Sequence, residues 1–305
     1  FSKRLDSGYE SFIPTLGVFA ISGQKLLPAI NTIYSSYSAI RANNTAFESV
    51  LENYKNKFKP KVIYDIKNTK FEFKNTIQIK NLTYKYDNKN ILFDNISFKI
   101  TKGEKIGLIG DTGCGKSTLV KLIMGILEVN KGAIYIDDKL LLPFKNSGIN
   151  PDEWYRSIAH VPQEIFLMDA SVMENITFNS QLSKGDMKKL KKIIEIVNLE
   201  KLMKELNHGI FTTVGERGIK LSGGQKQRIG IARALYKTKN LIFLDEATSA
   251  LDSKTEKLII KNIGEVYPNL TIISIAHRIS TLKNFDQIFE VKDGKVIKID
   301  PKKIL

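Results

Sequence analysis

Nine consecutive residues, Gly110-Asp111-Thr112-Gly113-Cys114-Gly115-Lys116-Ser117-Thr118, form a pattern suited to holding phosphate. Backbone N–H groups reach phosphate oxygens closely only where side chains are missing, which accounts for glycine at 110, 113 and 115. A helix opening at Lys116 would aim its unpaired N–H groups and partial positive charge at the same oxygens. Lys116 has the reach for the β- and γ-phosphates of a nucleoside triphosphate, and the Ser117 hydroxyl is a ligand for Mg²⁺. The plainer reading, a glycine-rich turn with an incidental lysine, leaves the strand before the loop and the helical pattern after it as coincidence.

Two further groups carry chemistry. The run Leu241-Ile-Phe-Leu-Asp245-Glu246 ends an apolar strand in two carboxylates. Ligands of an α/β sheet gather at the carboxyl ends of its strands, so Asp245 would face the crevice of the phosphate loop as a partner for Mg²⁺. Glu246 would hold a water in line with the γ-phosphate as general base. A strand ending in solvated acids is the alternative. The segment Leu221-Ser222-Gly223-Gly224-Gln225 opens a helix continuing KQRIGIARALY, a second anion-binding terminus. One nucleotide needs one such terminus at its γ-phosphate. A second in the same chain implies two copies stacked head to tail, each offering Ser222 and Gly224 to the nucleotide of the other. An ordinary N-cap explains Ser222 but not the double glycine.

The elements around these residues alternate. Strands are expected at Ile77 to Tyr86, Ile91 to Ile100, 105 to 110, 132 to 137, 241 to 246 and 271 to 276, and helices from Lys116, between Lys184 and Leu206, from Gly223 and after Ser253. Short apolar strands between helices predict a parallel sheet covered on both faces, and Asp293-Gly294 between alternating runs predicts a closing hairpin. Upstream, residues 11 to 24 carry no charge, too short a stretch for the about 20 residues a bilayer needs. Leu27, Ile30, Ile33, Tyr34, Tyr37, Ile40, Phe47, Val50 and Leu51 keep helical spacing past Arg41. A buried helix of a soluble domain fits these residues, and so does the inner half of a transmembrane helix running on into the cytoplasm. The Lys- and Asn-rich stretch from Asn53 to Asn75 reads as a linker with a solvated charge run.

Composition sets the outer bounds. The 305 residues suffice for one large or two modest domains at roughly 100 to 200 residues each, and 42% hydrophobic content excludes global disorder. A single cysteine excludes a disulfide framework and a multi-cysteine zinc site, and fits a reducing compartment. The net charge of +15 speaks to solubility and association rather than fold, and with only 7 arginines among 47 basic residues it fits codon bias as well as an anionic partner. The chain opens at Phe1 with no signal-peptide pattern and reads as a piece of something longer.

From about Ile77 to Asp300 the sequence resembles the nucleotide-binding domain of ATP-binding cassette (ABC) transporters, with the phosphate loop, LSGGQ at 221 to 225 and LIFLDEATSALD at 241 to 252 at the family's spacing. The resemblance implies an α/β P-loop NTPase of the ABC ATPase type, with a parallel-sheet core, an antiparallel β subdomain and a helical subdomain, preceded by a long helix from a transmembrane domain. It also implies roles. Tyr86 stacks on adenine, Gln163 in HVPQE serves Mg²⁺ and catalysis, and His277 meets the γ-phosphate. Ser222, Gly223, Gly224, Gln225 and Asp252 lie across the dimer. Without the family, Tyr86 reads as a strand aromatic, Gln163 as a turn polar residue and His277 as a satisfied strand-end histidine.

The superfamily hosts DNA repair, chromosome condensation and ribosome work as well as transport. Thr213-Val-Gly-Glu-Arg-Gly218 resembles the loop with which exporter-type members touch coupling helices, and residues 11 to 51 resemble the last transmembrane helix of an exporter half. The expected organisation is therefore 1–52, end of a transmembrane domain; 53–75, linker; and 76–305, nucleotide-binding domain. The implied cofactors are ATP and Mg²⁺. The implied partners are a second nucleotide-binding domain, as homodimer or heterodimer, the transmembrane domain of the same polypeptide, and the inner membrane of the cell, with the ATPase on the cytoplasmic side. LLPAIN at 26 to 31 and IFLMDASVMENITF at 165 to 178 are most similar to lipid-linked oligosaccharide flippases. Since the family usually continues into a further helix, truncation is expected at Leu305. The charge alone favours a soluble nucleic-acid ATPase. Asp245-Glu246 disfavours a module that does not hydrolyse, neither rival explains residues 11 to 34, and no nucleic-acid partner is expected.

Overall fold

The alternation of short apolar runs with helical periods resolves, in a computed structural model of the chain, into two sheets and their covering helices. It describes residues 3–57, 71–86, 90–141, 148–149, 151–237, 240–276, 282–283 and 285–300. The chain divides into two units, Phe1–Lys67 and Asn68–Leu305.

The first unit is built on one helix, α1 (Lys3–Lys57), of 55 residues, about 80 Å at 1.5 Å per residue. It runs several residues into the lysine-rich stretch read as linker, where Lys55 and Lys57 are good helix formers and no Gly or Pro interrupts. Pro14 and Pro28 lie inside it, each removing one backbone donor. Apolar side chains along it, including Phe19, Ile33 and Ile40, are exposed. Among the described residues no helix is long and apolar enough to cross a membrane.

The second unit begins in packed structure before its first strand, since Phe73 is fully buried. Strands β1 (Thr76–Lys85), β2 (Ile91–Thr101), β4 (Lys131–Ile136) and β5 (Lys139–Leu140) form an antiparallel sheet in the order β2-β1-β4-β5. Ile77 of β1 sits between Ile100 of β2 and Ile136 of β4, and all three are buried. The larger sheet contains β3 (Lys105–Ile109), β6 (Ile158–Val161), β7 (Leu241–Asp245), β8 (Thr271–Ile275), β9 (Gln287–Lys292) and β10 (Lys295–Ile299), ordered β10-β9-β3-β8-β7-β6. Its pairs are parallel except the β9–β10 hairpin. Every residue of β8 is buried, as a central strand covered on both faces requires.

Helices α2 (Lys116–Ile123), α5 (Lys184–Ile196), α6 (Glu200–Glu205), α7 (Gly223–Lys237) and α8 (Ser253–Val266) follow the expected pattern. Strands β5 and β6 and helices α3 (Pro151–Ser157) and α4 (Val172–Thr177) do not come from it. Each is seven residues or shorter, too short to show a period. Helix α4 does carry a local signal, the capping box Ser171-x-x-Glu174: the Ser171 hydroxyl accepts from the Glu174 N–H at 3.1 Å and the Glu174 carboxylate accepts from the Ser171 N–H at 2.9 Å.

Sheet register does the positioning. Leu108 of β3 and Asp245 of β7 pair with the same residue, Ile275 of the strand between them. The loop after β3 and the carboxylates after β7 therefore emerge side by side.

Candidate functional site

The loop from Gly110 to Gly115 joins β3 to α2 with three glycines at positive φ. A Cβ at position 110 would lie 2.3 Å from the Val291 carbonyl oxygen, so backbone crowding forbids a side chain there. At position 113 there is open space, and the requirement is conformational, φ being +83°. Lys116 is nearly buried, and its ammonium donates to the carbonyls of Gly110 and Asp111, both at 2.8 Å. The lysine thus ties the loop into a ring, a contact that phosphate oxygens would have to replace.

Beside it, the Ser117 hydroxyl donates to Asp245 Oδ1 at 3.2 Å. Gln163, on the loop after β6, donates through Nε2 to Glu246 Oε2 at 2.8 Å. A cleft of about 220 Å³ is lined by Thr112, Gly113, Gly115, Lys116, Ser117, Thr118 and Glu246. Tyr86 reaches the same loop, its phenol 3.0 Å from the Thr118 hydroxyl. The fold therefore gathers the phosphate loop, both carboxylates and Gln163 at the carboxyl ends of the parallel strands, with Tyr86 beside them. Glu246 sits at φ +51°, a left-handed conformation that costs a non-glycine residue on the order of 1 kcal/mol or more. His277 lies outside the described residues.

The Ser-Gly-Gly segment is elsewhere. Ser222, Gly223 and Gly224 line a different cleft of about 370 Å³ with Arg228, Leu251 and Asp252 among its walls, and no phosphate-loop residue borders it. Ser222 is the N-cap of α7: its hydroxyl accepts from the Gln225 N–H at 3.3 Å, while the Gln225 side chain accepts from the Ser222 N–H at 2.7 Å. The second of the two glycines has a structural reason within the chain, because a Cβ at 224 would lie 3.0 Å from the Ala250 carbonyl oxygen, whereas one at 223 would meet only the Ala250 Cβ at 3.4 Å. Asp252 caps α8, accepting from the N–H groups of Lys254 and Thr255 and from the Thr255 hydroxyl. These bonds, the Thr255 hydroxyl foremost, hold its carboxyl below the usual value.

Sequence reasoning missed the supports of the 246–252 turn. Gln227, 4% exposed, sends its side chain from α7 into that turn. Its Oε1 accepts from the Ala250 N–H at 2.9 Å, and its Nε2 donates to the Ser249 hydroxyl at 3.1 Å and to the Glu246 carbonyl at 3.5 Å. From the other side, Thr248 donates to the buried Glu256 carboxylate at 2.6 Å. Such contacts join residues far apart in the chain and leave no local signature.

The family model described as "ABC transporter" matches residues 93–249, just over half of the chain. The α-hemolysin translocation ATP-binding protein HlyB of Escherichia coli O157:H7 is 39% identical over 224 residues, covering 73% of this chain and 31% of that protein. The ATP-dependent lipid A-core flippase of Photorhabdus laumondii is 36% identical over 222 residues, covering 72% and 37%. The structure of a bacterial Atm1-family ABC exporter with ATP bound superposes with a TM-score of 0.67 at 30% identity, covering 74% of this chain and 39% of that one. The chain thus spans well under half the length of each. Since the family match takes in the strand-loop-helix at 105–123, the helix opening at 223 and both carboxylates, this chain belongs to the ABC transporter family.

Proposed function

We propose that this chain is the ATP-binding and ATP-hydrolysing portion of an ABC exporter, working as a pair of nucleotide-binding domains under a transmembrane domain. The observation that carries the reading is the convergence of Lys116, Ser117 and Glu246 on one cleft with Asp245 bonded to Ser117. The donor set suits Mg²⁺, a hard ion usually held by one or two protein oxygens plus substrate phosphates; Ser117 and Asp245 would hold it. Among the described residues no group of three or more His, Cys, Asp or Glu side chains converges as an all-protein metal cage would require. Bound there, Mg²⁺ supplies charge neutralisation at the phosphates.

The protein's own groups do the rest by position. Lys116 exchanges its two loop carbonyls for phosphate oxygens, and the N–H groups opening α2 face the same charge. Glu246 takes a proton from the attacking water. Gln163 orients that carboxylate through Nε2, and its amide oxygen is the atom suited to a metal. Tyr86 offers its ring to the base and His277 its imidazole to the γ-phosphate. Ser222 and Gly224, set on a separate cleft, serve the nucleotide of the second domain together with Gly223, Gln225 and Asp252.

The relatives named for translocation and flipping support export over work on nucleic acid. On this reading residues 1–52, whose helix leaves Phe19, Ile33 and Ile40 exposed, are the end of a transmembrane domain in the inner membrane, with the ATPase on the cytoplasmic side. The test is ATP turnover with Mg²⁺ in the wild type and Glu246→Gln. Wild-type hydrolysis, with at least a hundredfold loss and retained ATP binding in the variant, is expected from removing a general base, at about 10²–10⁴-fold. A chain that binds no ATP, or a variant with normal turnover, overturns the reading.

A further inference from the structure

We infer that Gln227 is a positioning residue for hydrolysis, holding the Glu246 backbone in its left-handed conformation and tying it to the helix that opens with the Ser-Gly-Gly segment. The inference rests on the reading of Glu246 as base. A left-handed glutamate persists only where its surroundings over-determine it, so the question is what does so. Within the turn, the Ser249 N–H returns to the Glu246 carbonyl at 3.0 Å and the Leu251 N–H to the Thr248 carbonyl at 3.0 Å. These bonds close the turn but do not anchor it to the rest of the fold.

Gln227 does. One buried primary amide meets three points of the turn, the Ala250 N–H, the Ser249 hydroxyl and, most distantly, the Glu246 carbonyl. Its acceptor and its donor are both used, so neither a carboxylate nor an apolar side chain of the same length reproduces the set. Gln227 stands one helical turn after Gly223, and Gly224 packs against the Ala250 carbonyl. The first turn of α7 and the 246–250 turn are therefore held as one body. A displacement of the α7 N-terminus, as contact with a second domain's nucleotide would bring, is passed to the Glu246 backbone through this amide. Misplacing a catalytic group by about 1 Å costs about a hundredfold in rate.

The test is Gln227→Met, which fills the volume and removes both hydrogen-bonding atoms, made alone and in the Glu246→Gln background of the whole chain. ATP turnover, KM for ATP, single-turnover hydrolysis and thermal melting are measured. Expected for Gln227→Met is a fall in kcat of about tenfold to a hundredfold with KM changed less than about threefold. In the Glu246→Gln background the same substitution adds no further loss, because the group it positions is already gone. Normal turnover in folded Gln227→Met overturns the inference, and so does an equal fold-loss in both backgrounds. If Gln227→Met fails to fold, Gln227→Glu replaces it, keeping the length and the acceptor for the Ala250 N–H. Reduced kcat at unchanged KM then supports the inference and unchanged kcat overturns it. Normal turnover in Glu246→Gln alone brings down the base assignment and this inference with it, whereas loss there with normal Gln227→Met strikes only the latter.

Discussion

At the scale of single residues, Lys116 shows how the loop is prepared for its ligand. Its ammonium is nearly buried and bonded to two carbonyls of the loop that it would help to hold phosphate. Nucleotide binding is therefore an exchange of partners, and the net gain is the difference between charge-assisted bonds to phosphate and bonds to neutral carbonyls. Lys116→Ala should raise the Kd for ATP by about tenfold to a hundredfold, about 1.4 to 2.8 kcal/mol, in an equilibrium binding measurement; an unchanged Kd contradicts the role. Cys114 lies in the same loop, half-buried, with its sulfur 3.8 Å from the Lys116 ammonium. A nucleotide seated on the loop should shield it. MgATP is expected to slow alkylation of Cys114 by a maleimide, followed by intact mass, and equal labelling with and without MgATP counts against the site.

At the scale of elements, helix termini do two jobs. The Ser222–Gln225 capping box is needed by α7 whether or not a second nucleotide ever meets it, and Ser222→Ala should cost about 1 kcal/mol in a denaturant titration. Asp252 caps α8 as an anion. Its carboxyl is depressed in the folded state, so its contribution is present above the unfolded value, near 3.8, and is lost as pH falls through the lower folded value. The melting temperature of Asp252→Ala should lie below wild type at pH 7, and the gap should close as pH drops below about 4; a gap independent of pH shows that the charge is not what caps the helix. The same elements show what a sequence discloses. The phosphate loop, β7 and the start of α7 are legible because their chemistry is local: glycines where the backbone crowds, an apolar run ending in acids, a serine before a helical period. Helix α3 and strand β6 are not, because elements of four to seven residues are held by tertiary packing, as fully buried Trp154 shows for α3, and α4 shows only its capping box. Gln227 and the Thr248–Glu256 bond were invisible for the same reason, while the second glycine of the signature proved to answer to Ala250 as well as to any ligand.

At the scale of the whole molecule, one chain holds two clefts that share no lining residue, which the proposed function reads as two half-sites. The phosphate loop with Glu246 lines one cleft, and Ser222 with Gly224 lines another. If hydrolysis needs both, a single copy is incomplete, and turnover must depend on association. Similar stretches of about equal length match proteins named for α-hemolysin translocation and for lipid A-core flipping at 39% and 36% identity, so what this portion shares with them is the ATPase. Association is therefore the property to measure. Glu246→Gln should bind ATP without consuming it, which would remove the step that parts the two copies, and so gives the cleanest trap. With MgATP this variant should move in light scattering from 34.5 kDa towards twice that mass, and Ser222→Glu, which sets a carboxylate against the partner's γ-phosphate, should abolish the shift while leaving ATP bound. A chain that hydrolyses ATP at a rate independent of its own concentration and stays at one copy under these conditions would show that the second cleft serves α7 alone.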